Sequence, residues 1–354
     1  MSALTAGTTT AAAGDALRSA IRRLAFGESL SADDASAAFG VVMDGGAAPS
    51  QVAALLVALR VKGETAAEVA GAARALRGAM VRLDAEAPEQ LVDTCGTGGG
   101  SLQTFNISTA AALVAAGAGV RVAKHGNRSF TSQCGSADVL EALGVAIEAP
   151  VAAMERALRE AGLVFMFAPL MHPAMRHVGP IRRELGIPTV MNIVGPLANP
   201  AGAGRQVVGV AERSRVPLIA GALAELGAVH SLVVHGEPGL DEISPIGPTH
   251  VVEVRAGATR EWTIEPAAHG FGDVDPRDLA AGDPARNARV ITAILDGGGP
   301  PGARAAVILN AAAAIYVAGL APDYHTGIAA AAEALDRGSA RRALQRLRAA
   351  YGTS

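Results

Sequence analysis

The sequence predicts an α/β protein with a small helical domain at its N-terminus, and three observations predict it. Residues 15–85 carry only helix-period apolar stripes, each closed by a glycine or opened by a capping residue. From Leu91 onward, short apolar runs alternate with helix-length segments, the mark of a mostly parallel sheet covered on both faces. The first of these runs opens into a glycine-rich loop followed by a helix start.

The elements follow in order. Residues 1–14 are rich in Ala, Thr and Gly and read as a frayed tail. Leu17, Ile21 and Leu24 form the first apolar stripe, which Gly27 stops. Ser31 caps a second helix with Asp34 three residues on; Phe39, Val42 and Met43 make its apolar side, and Gly45-Gly46 ends it. Ser50 is expected to cap a third helix with the stripe Val52, Leu55, Leu56 and Leu59, closed by Lys62-Gly63. Thr65 caps a fourth, from Ala66 to about Met80.

Strands are expected at Leu91-Val92, Val120 to Ala123, Leu163 to Ala168, Val207 to Val210 and Ser231 to Val234. Thr249 to Val254 and Trp262 to Ile264 suit an antiparallel addition at the sheet edge. Helices close the chain at about 287–296, 303–319, 327–337 and 339–350. The uncharged stretch Ala305 to Ala321 is shorter than the ~20 apolar residues a membrane helix needs, and it carries Asn310. It reads as a buried core helix.

Composition narrows the function. The chain has 354 residues, enough for one large domain or a large and a small one. A formal charge of −3 gives no electrostatic pull toward nucleic acid or an anionic membrane. Two cysteines, Cys95 and Cys134, do not make a disulfide framework; with no secretory signal, a reduced cytoplasmic setting is expected. Both are read as small packing residues.

The chemistry gathers at strand ends. Leu91-Val92 runs into Asp93-Thr94-Cys95-Gly96-Thr97-Gly98-Gly99-Gly100, with a helix from about Ser108. Such a loop can cradle a phosphate with backbone N–H groups, or be only a flexible turn. Its spacing is neither that of a dinucleotide fingerprint nor of a P-loop. Ser108 and Thr109 either cap the helix or offer hydroxyls to phosphate or metal. Lys124-His125-Gly126-Asn127-Arg128 ends the next strand, where open α/β sheets bind ligands; a solvated basic turn is the alternative. Ser129 to Ser132 and Gly135-Ser136 continue that loop. Asp241-Glu242 offers two hard oxygen ligands suited to Mg²⁺, or a solvated acidic turn. His172 and His177 lack zinc-site spacing.

These pieces, in this order, resemble the anthranilate phosphoribosyltransferase family over nearly the whole chain. The resemblance rests on Lys62-Gly63-Glu64-Thr65, Gly96-Thr97-Gly98-Gly99, Thr104 to Thr109 and Lys124 to Arg128. It continues through Gly135 to Gly144, Phe167-Ala168-Pro169, His172-Pro173 and Arg182 to Gly186. Asn192, Gly195-Pro196-Leu197, Asn199-Pro200, His235-Gly236 and Gly239 to Glu242 complete it. It implies an α/β domain of the nucleoside-phosphorylase type over residues 86–354. It also implies a homodimerising helical domain, residues 15–85, joined by helices from about 173–200. The implied reaction moves phosphoribose from phosphoribosyl pyrophosphate (PRPP) to the amine of anthranilate, with Mg²⁺, in tryptophan biosynthesis.

Carried over by position, PRPP would be held by Gly96, Thr97, Gly98, Gly99, Gly100, Thr104, Asn106, Ile107, Ser108 and Thr109. Lys124, His125, Gly126, Asn127, Arg128, Ser129, Phe130, Thr131, Ser132 and Ser136 would complete that set. Anthranilate would meet Gly96, His125, Asn127 and Arg182; metal would meet Ser108, Asp241 and Glu242. No general base is assigned. Gly100 stands where the family usually has Asp, and Met191 where Phe is common. Two rivals use the same fold: a transferase or phosphorylase with another acceptor, and a non-catalytic nucleic-acid binder. The second would favour a basic surface and lost substrate residues, whereas the charge is negative and Lys124, Asn127, Arg182, Asp241 and Glu242 are all present.

Overall fold

The computed structural model describes residues 6–100, 102–129 and 133–351. Four helices come first: α1 Ala6–Ala25, α2 Ala32–Met43, α3 Pro49–Lys62 and α4 Ala66–Gly78. The helical backbone begins at Ala6, inside the stretch expected as a tail, while residues 1–5 lie outside the described part. Caps explain most of the boundaries. The Ser31 hydroxyl accepts from the Asp34 N–H at 3.1 Å. Thr65 and Glu68 cap α4 reciprocally, Thr65 Oγ1 taking the Glu68 N–H and Glu68 Oε2 the Thr65 N–H. The expectation for α3 is corrected: Ala48, not Ser50, is the cap. Pro49 occupies the first helical position because its fixed φ and missing N–H suit that place.

The larger part runs β1 Val92–Gly96, α5 Ile107–Gly117, β2 Val122–Gly126, α6 Ser136–Ala142, α7 Val151–Ala161, β3 Leu163–Phe167 and α8 Ala168–Met171. There follow α9 Gly179–Leu185, α10 Met191–Val194, β4 Arg205–Gly209, α11 Val216–Glu225, β5 His230–Gly236, β6 Thr249–Arg255 and β7 Ala258–Ile264. The helices α12 Pro284–Leu295, α13 Pro301–Ala318, α14 Tyr324–Asp336 and α15 Ser339–Tyr351 close it. The strands form one sheet in the order β3-β2-β1-β4-β5-β6-β7, parallel from β3 to β5 and antiparallel at β6 and β7.

Two cores flank this sheet. One gathers α5, α7, α13, α14 and α15 on one face, with α13 buried along nearly its whole length. The other joins α1–α4 to α11, to the outward faces of β4–β6 (Val208, Val233, Val252) and to Ala174, Val178, Ile181 and the Val190–Ala198 stretch. Met191 belongs to this second core.

β1 and β2 differ from their expected extents. They run through Asp93–Gly96 and Lys124–Gly126, residues whose polarity argues for loop. Asp93 and Lys124 stay in the sheet because each is paired. Asp93 accepts from the His125 N–H at 3.1 Å and from Asn199 Nδ2 at 2.8 Å. The strand order reverses between β1 and β4, which places a topological switch point at the carboxyl end of β1.

Candidate active site at the switch point

At the switch point Gly96 of β1 lies beside Gly209 of β4. Both must be small, because the chain at Asp241 crosses directly over them. A Cβ on Gly209 would stand 1.7 Å from the Asp241 carbonyl oxygen, and one on Gly96 would stand 2.6 Å from Asp241 Oδ2. The glycine loop then turns at Gly98 and Gly99, with φ of +68° and +80°. Gly98 donates its N–H to Asp241 Oδ2 at 2.9 Å, and Ser108, in the first turn of α5, donates its N–H to Glu242 Oε1 at 3.0 Å. Loop, helix start and acidic pair are therefore one unit, though far apart in sequence.

Lys124 completes it. Its side chain is buried and Nζ reaches the Thr94 carbonyl oxygen and the Ser108 hydroxyl, the latter at 3.2 Å. Burial pulls Lys124 below its usual range, against the pull of Asp93. Burial pushes Asp93 up to about 6 despite Lys124 and Asn199. Glu242 is pushed up to about 8, first by burial and then by Asp241. Asp241 is raised by burial too, partly offset by the Gly98 N–H. Two half-buried carboxylates beside a hydroxyl form a hard oxygen set with a deficit of positive charge, and that set fits Mg²⁺. Among the described residues no group of three or more His, Cys, Asp or Glu side chains forms a closed cage. Mg²⁺ normally takes just one or two carboxylates and draws the rest of its shell from substrate phosphates and water.

His125 follows Lys124. Burial brings it down to about 3, and its Nε2 has no hydrogen-bond partner within the described protein. Its ring lies 4.9 Å from that of His172, itself lowered to about 4 by burial, so both are neutral at physiological pH. Asn127 turns inward on its own loop: Oδ1 accepts from the Arg128 N–H, and its carbonyl accepts from the Ser136 hydroxyl and the Ala137 N–H. Gly126 and Gly135 allow this, since a Cβ on Gly126 would meet Ser136 Oγ at 2.2 Å.

Arg182 is half-buried in α9, and burial lowers its affinity for a proton. No acidic partner faces it among the described residues.

The structure does not bring every expected residue to this cluster in the same way. Arg128 pairs with Asp138 and Glu141 and lies over the Phe167 ring, which accounts for its guanidinium without a phosphate. Ile107 is a core side chain, so it can contribute backbone only. Thr109 is buried with its hydroxyl unpartnered among the described residues. Thr97 accepts from the Ala211 N–H, Thr104 bridges to Ala280, and Ser129 donates its N–H to Asp138. Phe130, Thr131 and Ser132, expected to meet PRPP, lie outside the described residues. Burial pushes both thiols up, Cys134 to about 11, in keeping with packing roles.

Sequence reasoning missed the residues that hold the cluster in place. Asn199 donates Nδ2 to Asp93 and to the Ala123 carbonyl, tying β1 to β2 from a turn. Asn287 donates to Asn106 Oδ1 at 3.0 Å, which joins the loop to α12. Asp138 takes N–H groups of Ser129 and Gly135; burial works to raise its carboxyl, but these donors and Arg128 hold it below its usual range. Asn199 and Asp138 lie within the resembling segments, and their type alone was the available signal.

Comparisons with known proteins agree over this whole arrangement. Residues 88–341 match the model of the glycosyl transferase family a/b domain, and residues 18–80 that of its helical bundle domain. Anthranilate phosphoribosyltransferase of Anaeromyxobacter dehalogenans (strain 2CP-C) is 51% identical over 336 residues, 94% of this chain and 98% of the relative. That of Rubrobacter xylanophilus is 52% identical over 330 residues, 93% and 96% of the two chains. The crystal structure of the Thermus thermophilus enzyme superposes with a TM-score of 0.88 at 43% identity, covering 94% of this chain and 99% of that one. The Saccharomyces cerevisiae enzyme in complex with PRPP and Mg gives 0.85 at 29% identity, over 95% and 97% of the chains.

Proposed function

The chain belongs to the anthranilate phosphoribosyltransferase family, and from that premise we propose how its own residues carry the transfer of phosphoribose from PRPP to the amine of anthranilate. One observation carries the reading: the glycine loop, the α5 start, Lys124 and the under-compensated Asp241-Glu242 pair converge at the switch point.

The pyrophosphate lies on the loop. N–H groups of Gly99 and Gly100, the hydroxyl of Ser108 and the Lys124 ammonium face the charge that grows on the leaving group. Ser108, Asp241 and Glu242 would hold Mg²⁺, which when bound neutralises the phosphates and stabilises the departing pyrophosphate. Asp241 and Glu242 also keep the loop seated through the Gly98 and Ser108 N–H groups, so loop shape and metal site are set together. Arg182 offers its half-buried guanidinium to the anthranilate carboxylate, an anion its surroundings do not supply. His125, neutral and set near the His172 ring, lies beside the aromatic acceptor as a wall of its pocket. No protein nucleophile is required, and positioning two substrates supplies much of the acceleration.

The helical domain pairs two copies of the chain. Phe26 and Val61, 80% and 82% exposed at the ends of α1 and α3, support that face as the contact. We place the protein in the cytoplasm, since the two cysteines form no disulfide. Loss of anthranilate fluorescence on adding PRPP and Mg²⁺ tests the reaction. Turnover of another aromatic acid or a free base in its place would overturn the acceptor assignment. Light scattering reads the mass in solution, and a monomer would refute the pairing.

A further inference from the structure

Outside the site described above, two histidines converge from separate elements. His269 ends the 3₁₀ turn Pro266–His269 that follows β7, and His325 stands in the first turn of α14. Their Nδ1 atoms are 3.3 Å apart, with ring centroids at 5.6 Å and planes 31° from parallel. Two imidazole nitrogens each about 2.0–2.1 Å from a tetrahedral ion would stand about 3.3–3.4 Å apart. The same distance is long for a direct hydrogen bond between rings.

We propose that His269 and His325 together bind a divalent ion of the Zn²⁺, Ni²⁺ or Cu²⁺ class, with water completing its shell. The pair is preorganised. His269 lies edge-on against the Tyr324 ring at 5.5 Å, and Tyr324 is buried with its hydroxyl on the Leu309 carbonyl of α13. Asp323 caps α14 beside His325 and adds negative charge there. His325 is exposed, so an ion can enter without opening the core. Imidazole donors favour these metals over Mg²⁺ or Ca²⁺, which separates this site from Asp241-Glu242. Because the ligands come from two elements, an ion here also clips the edge of the sheet to α14.

The chain carries its own reporter. Its single tryptophan, Trp262, lies edge-on to Tyr324 at 5.8 Å, one ring away from His269. Cu²⁺ or Ni²⁺ titrated into the full-length protein should quench Trp262 emission with one ion per chain, and excess Zn²⁺ should restore the Ni²⁺-quenched emission. Mg²⁺ should do neither. His325→Ala, and separately His269→Ala, should each shift the quenching midpoint by about a hundred-fold, the loss expected when a second tethered ligand goes. Far-UV circular dichroism checks that each variant is folded. Quenching with the same midpoint in both variants would assign the ion elsewhere and overturn the proposal, as would no quenching in the parent.

Discussion

Two glutamates beside the same sheet, Glu253 buried and Glu242 half-buried, show opposite treatments of a carboxylate. Glu253, in β6, accepts from the Tyr316 hydroxyl at 2.8 Å, from His230 Nε2 at 2.8 Å, from Arg260 at 2.8 Å and from Trp262 Nε1 at 3.2 Å. Burial works to raise it, yet these donors hold it below the usual carboxylate range. Glu242 accepts one backbone N–H, faces a second carboxylate, and is pushed up to about 8. The first site is complete and needs nothing more from solution. The second lacks positive charge in the folded chain, and a ligand supplies it. An incomplete set of partners around a buried charge marks function better than charge alone.

That contrast can be broken by substitution. Glu242→Gln keeps the shape and removes the charge, so turnover with PRPP, anthranilate and Mg²⁺ should fall about a hundred-fold or more. The thermal midpoint of the unliganded variant should hold or rise. A variant that loses stability but keeps its rate would reverse the two roles. Arg182→Ala should raise the anthranilate KM roughly ten- to hundred-fold, from about 1.5–3 kcal/mol for a charged hydrogen bond, with the PRPP KM nearly unchanged. An equal rise for both substrates would put Arg182 in a structural role.

Glu253→Gln should act in the opposite sense to Glu242→Gln. It leaves donors short of an acceptor, costs about 1–3 kcal/mol and lowers Tm by roughly 2–4 °C per kcal/mol, while the rate per folded molecule stays put. A rate loss without a Tm change would remove the distinction drawn here.

Gly100→Asp should be milder. The φ of Gly100 is not in the left-handed region, so Asp is allowed there, but its Cβ would stand 2.9 Å from the Gly239 carbonyl and 3.7 Å from Asp241 Oδ1. A third carboxylate beside Asp241 should hold an extra ion against the phosphates and make the rate more sensitive to high Mg²⁺. Overlaying rate curves for a folded variant would show that the position is indifferent to metal.

The smallest effect is a slope. Glu242 rises from 4.5 to about 8 and Asp93 from 3.8 to about 6 on folding, so the folded chain keeps protons that the unfolded chain releases. The lowered His125 and His172 work in the opposite sense up to about pH 6.5, so the unliganded protein should lose stability as pH rises from about 6.5 to about 8, where Glu242 is the one of these groups still titrating. Glu242→Gln should flatten that decline. A Tm that climbs with pH in this window would contradict the raised values.

Much of this arrangement is legible in the sequence, and the failures share a cause. Stripes such as Leu55, Leu56 and Leu59, and caps such as Thr65 with Glu68, are local and read directly. Asp93 and Lys124 read as the start of loops because isolated polar residues rarely sit in a central strand. Their partners, Asn199 and Thr94, are distant in sequence or ordinary in type. Arg128 reads as a phosphate ligand until Asp138 and Glu141 are seen to claim it. Gly209 stands out in no pattern, because nothing local says that Asp241 will cross above it.

Helix α13 gives the acidic pair a kinetic character. Asn310 accepts the Ile243 N–H at 2.9 Å and returns Nδ2 to the Ile243 carbonyl at 2.9 Å. The residue after Glu242 is thus held like a rung of a sheet, by one side chain of a helix buried in the larger core. Its amide proton can exchange with solvent only when α13 parts from that segment. The segment beside the acidic pair is thus tied to a helix of the larger core, and it should open less readily than the surface turns.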